Sequence, residues 1–384
     1  MRPSLPSTTD VFIVGAGPAG STLAHDLAKR GLEVTLIDKA DFPRAKTCGG
    51  GINFRALRLL PFDLSPVIEE TIDSILFSCR FEDSFLRRSP QPILVTVQRK
   101  FLDLYLVAQA EKTGARFFPQ TRFLSLHPHP EGIVVETTAG RCQARFLAGA
   151  DGVHSGVARS LGLNPSGGHI LVMHSEVPRF LFSGQESQAI HIDWGSLKRA
   201  YAYLFPRQDT LAIGAGGIGH PPSELKKYHQ AFLQNRWKRE GSFPFSTAGF
   251  LLPLRKRGTS LSQGRCLLLG DAAALIDPFT GEGIYYAIRS ARIAAAMLEA
   301  ALQERSPALA LYGERIDQEL MPELECSKVL RELFNLRPAF FHRRIATRER
   351  WWNAMVKILR GERTTVDFRK RLGLVGTILY RWYS

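Results

Sequence analysis

Cysteine is scarce in this chain of 384 residues, and what there is does not pair. Cys48, Cys79, Cys142, Cys266 and Cys326 fall in no C-x-x-C spacing and are odd in number. That argues against a disulfide framework and a zinc site, and reduced thiols are expected. Long apolar runs are missing as well: no uninterrupted stretch approaches the roughly 20 residues that span a bilayer. No apolar segment precedes the first strand, so no secretory signal is read and the expected location is the cytosol, with a membrane touched and not crossed. Internal repeats and low-complexity segments are absent. Acidic charge is lacking mainly at one end. The formal charge is +14, and from Lys328 to Ser384 fourteen Lys or Arg face only Glu332, Glu349, Glu362 and Asp367, a local excess of +10. The rest is an ordinary globular composition, 45% hydrophobic and 22% charged, enough for two or three structural units.

What is present begins with Val11-Phe12-Ile13-Val14-Gly15-Ala16-Gly17-Pro18-Ala19-Gly20, a G-x-G-x-x-G turn that closes an apolar strand. The first glycine permits the tight turn, the second lets the backbone approach a pyrophosphate, and the third packs helix on strand. Phosphates would then meet the N-terminus of helix Pro18–Arg30, with Ala19 in its first turn. Gly31 stops that helix, strand Val34–Ile37 follows, and Asp38-Lys39 stands where an acid would hold ribose hydroxyls.

Further along, Phe101–Lys112 reads as a helix with Phe101, Leu104, Tyr105 and Ala108 on one face. Strands Ile133–Thr137 and Ala144–Ala150 lead into Asp151-Gly152-Val153-His154-Ser155. Residues 165–250 are strand-rich. The apolar strand Cys266–Leu269 ends in Gly270-Asp271, and a long Ala-rich helix occupies Gly283–Gln303. The expected architecture is α/β: a discontinuous Rossmann-type domain from residues 1–60, 98–162 and 255–325, a sheet-rich substrate domain from 61–97 and 163–254, and a basic helical region, 326–384.

The order of three separated signals, Gly15–Gly20, then Asp151 to Arg159, then Gly270-Asp271-Ala272-Ala273 through Pro278, Gly281 and Gly283, resembles flavoproteins of the para-hydroxybenzoate hydroxylase type and implies FAD. Asp271 at a strand end suits ribityl hydroxyls, and Gly281–Gly283 with Ile284 opens a helix whose amides would face the electron-accepting edge of the ring. Within that superfamily, Lys46-Thr47-Cys48-Gly49-Gly50 is similar to the K-x-C-G-G loop of the geranylgeranyl reductase family, and Tyr201-Ala202-Tyr203-Leu204-Phe205-Pro206-Arg207 to its Y-x-W-x-F-P-K/R segment. The chain departs at Tyr203, where the family usually has Trp; the smaller ring adds a hydroxyl that needs a partner.

The resemblance implies reduction of isolated prenyl double bonds in a lipid, pigment or quinone precursor. Such an alkene needs a hydride on one carbon and a proton on the other, hence an acid close to the flavin. Cys48 is the candidate, in a glycine loop that can approach the ring closely; a small packing residue is the alternative. Lys46 either tunes that thiol or is solvated. Arg99 matches a family Arg near the phosphate or ribityl region. Asp151 is expected to organise its own turn and the approach to the cofactor. Tyr201, Tyr203 and Phe205 alternate along a strand, as pocket lining or as sheet core.

Gly214-Ala215-Gly216-Gly217-Ile218-Gly219 also fits G-x-G-x-x-G, but His220-Pro221-Pro222 breaks the helix that a second nucleotide site requires. The electron donor, NAD(P)H or reduced ferredoxin, would therefore dock transiently. His127 and His129, read in a turn, lack the neighbours of a metal site. Trp351, Trp352, Met355, Val356 and Leu359 recur at helical spacing among Arg350, Lys357 and Arg360. The pattern suits an anionic membrane surface, or a helix packed on the protein with a solvated basic face; Gly373, Gly376 and Leu372–Tyr380 add to the first. No nucleic-acid recognition fold accompanies the charge. A monomer or weakly associated chain is expected. Rival readings are an aromatic monooxygenase on the same scaffold and a flavin- or lipid-binding protein without turnover.

Overall fold

The computed structural model describes residues 4–182, 188–237, 245–303 and 308–367. Among the described residues, three sheets organise the chain. The first is parallel at its centre: strand Thr8–Val14 lies between Gly140–Gly149 and Val34–Ile37, with Cys266–Leu268 and Arg116–Phe118 outside them. Its strands are near-continuous apolar runs because helices cover it. Val11, Phe12, Ile13, Leu36, Leu147 and Leu267 are fully buried, against helices Pro18–Ala28 and Ile284–Leu302.

A seven-stranded sheet runs Ala248–Arg255, Ser166–Pro178, Thr210–Gly217, Ala200–Pro206, Ile190–Trp194, Ser74–Cys79, Glu82–Arg88. All neighbours are antiparallel except Ile190–Trp194 with Ser74–Cys79, which are parallel. Helix Pro222–Trp237 packs on strands Ser166–Pro178 and Thr210–Gly217. A small third sheet, Gly51–Asn53, Leu94–Val97 and Ile68–Ile72, lies beside the loop that carries Cys48.

Two expectations change. Helix Arg99–Lys112 buries Leu102, Asp103, Leu106, Val107 and Ala110, while Phe101 and Leu104 of the expected face are 43% and 38% exposed. Leu102, Leu106, Val107 and Ala110 make a second apolar stripe at helical spacing, and that stripe is the one buried; Asp103 goes in beside it, paired with Arg44 and Arg99. His127 and His129 lie in strand Phe123–His129, paired with Gly132–Thr137, so the turn comes after them. The Gly214–Gly217 run, rejected above as a second nucleotide turn, is the end of a sheet strand.

The C-terminal helices Met321–Leu336, Pro338–Thr347 and Glu349–Leu359 close over the seven-stranded sheet. Trp352, 2% exposed, and Val356 enter a core with Phe77, Trp194 and Phe334. The apolar face offered for a bilayer is therefore packed on the protein, as in the second of the two readings. Gly373, Gly376 and Leu372–Tyr380 lie outside the described residues. Among the described residues, no helix is long and apolar enough to cross a membrane.

Candidate functional site

The nucleotide turn is held by close backbone approach. Gly15 has φ +103°, and a Cβ there would sit 2.4 Å from the Ala150 carbonyl oxygen. At Gly20 a Cβ would fall 1.8 Å from the Gly15 carbonyl oxygen. Any side chain there pushes the helix off the strand. Asp38, buried at the end of Val34–Ile37, accepts from the amides of Ala16 (3.0 Å) and Ala40 (2.9 Å). The carboxylate thus ties the turn to the second strand and still lines the cavity with Lys39.

Two guanidiniums flank Gly17. Arg44 and Arg99 each place an Nη2 within 3.8 Å of the point where a Cβ would stand. Arg99 makes a two-pronged pair with Asp103 (2.8 and 3.0 Å), and Arg44 joins the same carboxylate at 3.0 Å. Burial works against the Arg99 cation, but Asp103 outweighs it and holds the guanidinium charged. Asp151 organises its own turn. It accepts from Ser155 Oγ (2.5 Å) and from the amides of Gly156 and Val157, which fixes the start of helix Gly156–Ser160.

Across the cavity, the Lys46–Gly51 loop lies against the seven-stranded sheet. The Gly50 amide donates to Cys48 Sγ at 3.4 Å. Phe205 lies 3.3 Å from a Cβ position at Gly49 and 2.8 Å from one at Gly51. Arg207, 1% exposed, donates to the Cys48 carbonyl at 2.7 Å and to Glu176 at 2.7 Å, clamping the loop to the sheet. Lys46 is exposed on the cavity wall; partial desolvation and Arg99 push it down, and Asp271 pulls it back. Asp271 is pushed up by burial and pulled back by the same two cations.

Beneath the start of helix Ile284–Leu302 lies a second charged group. Glu282, between Gly281 and Gly283, accepts from Asn53 Nδ2 at 2.8 Å, with Arg55 at 3.5 Å; its Oε1 is buried without a hydrogen-bond partner. Burial pushes its carboxyl up to about 7. Arg55 pairs with Glu323 at 2.5 Å and stacks over Tyr285, 3.7 Å from the ring centre. Tyr201 donates to the Thr280 carbonyl at 2.7 Å, joining the sheet to this turn.

One cavity of about 940 Å³ joins these parts. Its wall includes Gly15, Gly17, Ala19, Asp38 and Arg99 at one end, Asp151, Asp271, Pro278, Gly281, Gly283 and Ile284 along it, and Cys48, Gly49, Gly50, Tyr201, Tyr203 and Phe205 opposite. Gly20 and Gly270 do not line it. Gly270, at φ +59°, packs instead against Ala19, where a Cβ would stand 2.9 Å away. Beyond Cys48 the cavity turns apolar under the C-terminal helices, between Phe77, Ile192, Phe334, Phe341 and Met355.

Over residues 8–190 the sequence matches the FAD binding domain family. A menaquinone reductase of Mycobacterium tuberculosis is 29% identical over 322 residues, 77% of this chain and 78% of that protein. The chloroplastic geranylgeranyl diphosphate reductase of Oryza sativa is 28% identical over 359 residues, 86% of this chain and 77% of that protein. Among solved structures, a geranylgeranyl bacteriochlorophyll reductase-like protein from Thermoplasma acidophilum is similar in fold, with a TM-score of 0.74 over 86% of this chain and 88% of that one, at 23% identity. This chain is a FAD-dependent oxidoreductase, similar along most of its length to proteins named menaquinone reductase and geranylgeranyl diphosphate reductase.

The residues present fit FAD. The flavoprotein keeps its turn bare where a pyrophosphate would lie, brings two cations beside it, and leaves the amides at the start of helix Ile284–Leu302 facing the cavity. The sequence reading missed Arg44, Asp103, His174, Glu176 and Glu282. Glu282 left a local signal, an acid wedged between two glycines, and so did Asp103, four residues after Arg99 on one helix; the others meet through tertiary contacts and strand register.

Proposed function

We propose that this flavoprotein saturates isolated prenyl double bonds of a lipid, pigment or quinone precursor. The observation that carries this reading is the apolar half of the cavity, which starts at the Cys48 loop and runs between aromatic and aliphatic side chains. A chain of isoprene units fits such walls, and each unit withdrawn from water contributes about 4 kcal/mol. The names of the two curated relatives, both reductases, agree.

When bound, reduced FAD supplies the hydride. The chain's own residues do the rest. The Gly-Gly-Gly loop, clamped by Arg207 and Phe205, keeps Cys48 beside the reacting carbon. Phe77, Phe334 and Phe341 exclude water around the apolar chain. The positive end of helix Ile284–Leu302 favours negative charge at the ring edge. The electron donor, NAD(P)H or reduced ferredoxin, docks transiently, since Gly214–Gly217 is sheet. Delivery from an anionic membrane surface fits the basic C-terminal region; contact would rest on Arg343, Arg348, Arg350 and the exposed Leu336 and Phe340, because Trp352 is packed inward.

The test is anaerobic. The bound flavin is reduced with dithionite, geranylgeranyl diphosphate or a geranylgeranylated lipid extract is added, and reoxidation is followed by absorbance. Substrate-dependent reoxidation, slowed in Cys48→Ala, supports the reductase; reoxidation only after oxygen enters points to a monooxygenase.

A further inference from the structure

The reduction just proposed needs a proton, and the side chain behind Cys48 shows where one can come from. Tyr203 on strand Ala200–Pro206, Gly214 on Thr210–Gly217 and His174 on Ser166–Pro178 are register partners across three neighbouring strands. The tyrosine ring lies flat over Gly214, where a Cβ would meet its Oη at 2.4 Å. Only glycine fits there, which accounts for the first residue of the misleading glycine motif. Crossing Gly214 brings Tyr203 Oη to His174 Nδ1, at 3.1 Å. The hydroxyl introduced where the family usually has Trp thus has its partner.

His174 is 3% exposed, and its second nitrogen, Nε2, has no hydrogen-bond partner. Nε2 points toward Glu176 Oε1, 3.9 Å away, a gap closed by a small movement or a single water. The Glu176 side chain is half exposed, so the chain of groups ends at solvent. The same carboxylate holds Arg207, which holds the Cys48 carbonyl. At the cavity end, the edge of the Tyr203 ring lies 3.4 Å from a Cβ position at Gly49, beside the thiol loop. Burial lowers His174 and so keeps its imidazole neutral, able to accept on one nitrogen while donating from the other. Burial likewise keeps Tyr203 a phenol. Cys48 shows no comparable route: its sulfur accepts from the Gly50 amide.

We propose that Tyr203 is the proton donor to the alkene and that His174 and Glu176 resupply it from solvent. This rests on the prenyl-reductase reading. One alkene carbon receives the hydride from reduced flavin, which leaves oxidised; the π pair moves to the other carbon, which takes the phenolic proton. His174 Nδ1–H returns a proton to the phenolate while Nε2 takes one from solvent at the Glu176 carboxylate, which His174 and Arg207 hold ionised; the imidazole stays neutral as its other tautomer, and exchange with solvent restores Nδ1–H before the next turnover. Each cycle consumes one hydride, supplied through the flavin by the nicotinamide or iron–sulfur donor, and one solvent proton.

The experiment compares FAD-loaded wild type, Tyr203→Phe, His174→Gln, Cys48→Ala and Glu282→Gln in anaerobic single turnovers with a geranylgeranylated lipid, in H2O and D2O. Tyr203→Phe keeps the ring and is expected to slow substrate-dependent reoxidation by about 100-fold or more, with FAD retention and half-saturating substrate unchanged. His174→Gln is expected to slow it less and to change the solvent isotope effect, which a structural role would not move. In 15N-histidine spectra, Tyr203→Phe shifts the Nδ1 resonance of His174 whatever the substrate. Tyr203→Phe reoxidising at the wild-type rate overturns the donor assignment, and a rate collapse confined to Cys48→Ala or Glu282→Gln moves the proton to that group. Wild type that never reoxidises with any prenyl substrate fails at the earlier step, sinking the reductase reading and the donor role with it.

Discussion

The two walls of the cavity are built by opposite rules. On the nucleotide side, Gly15, Gly17, Gly20 and Asp38 fall within 24 residues and form one βαβ unit, so what each residue does is fixed by its near neighbours in sequence. On the sheet side, Cys48, His174, Glu176, Tyr203, Arg207 and Gly214 come from four segments and meet only because strands pair in one register. The first wall is specified by backbone geometry and tolerates little. The second is specified by side-chain contacts, so it is open to change one group at a time.

The sharpest way to break the contrast is Gly20→Val. A Cβ 1.8 Å from the Gly15 carbonyl oxygen forces helix and strand apart. Loss of about 3 kcal/mol or more is expected, together with loss of bound flavin, read from thermal unfolding and the absorbance of the purified protein. Next comes Trp352→Ala, which empties a core position under the C-terminal helices. It should cost about 3 kcal/mol while FAD stays bound, as denaturant unfolding and flavin content would show.

Arg207→Met is milder. It leaves the buried Cys48 carbonyl without its donor, for about 2 kcal/mol, and frees the loop. Flavin should be retained, and Cys48 should react faster with a thiol reagent than in wild type. The smallest effect is pH-dependent. Glu282 is raised from 4.5 to about 7 in the folded chain, so between those values the folded state holds more protons than the unfolded one. Stability is therefore lost as pH rises through that window. Glu282→Gln removes the loss, and Arg55 keeps its pair with Glu323. In flavin-free protein the variant should be more stable than wild type above pH 7, by about 2 kcal/mol, and equal to it near pH 4.

The same contrast explains what was legible in the sequence. The glycine turn, Asp38, Asp151 and the helix start at Gly283 were readable because their partners lie within a few residues or at a fixed spacing. Helix Arg99–Lys112 was read on the wrong face because it carries two apolar stripes, and only tertiary packing chooses Leu102, Leu106, Val107 and Ala110 over Phe101, Leu104, Tyr105 and Ala108; the pairing of Asp103 with Arg44, more than fifty residues earlier, leaves no local trace. The Trp-rich helix at the C-terminus gave the same pattern for a bilayer and for a protein core; contact with Phe77 and Trp194 decides for the core. His174 and Glu176 looked like ordinary strand residues, and only the register through Gly214 gives His174 a function.

The most direct test of the central claim is the mass of the product. The FAD-loaded protein, reduced without oxygen, is given one equivalent of a geranylgeranylated lipid, and the lipid is weighed by mass spectrometry after the flavin has reoxidised. A gain of two hydrogens, one double bond saturated per reduced flavin, is the predicted result. An unchanged lipid, or one that gains an oxygen atom only when air is admitted, would contradict it.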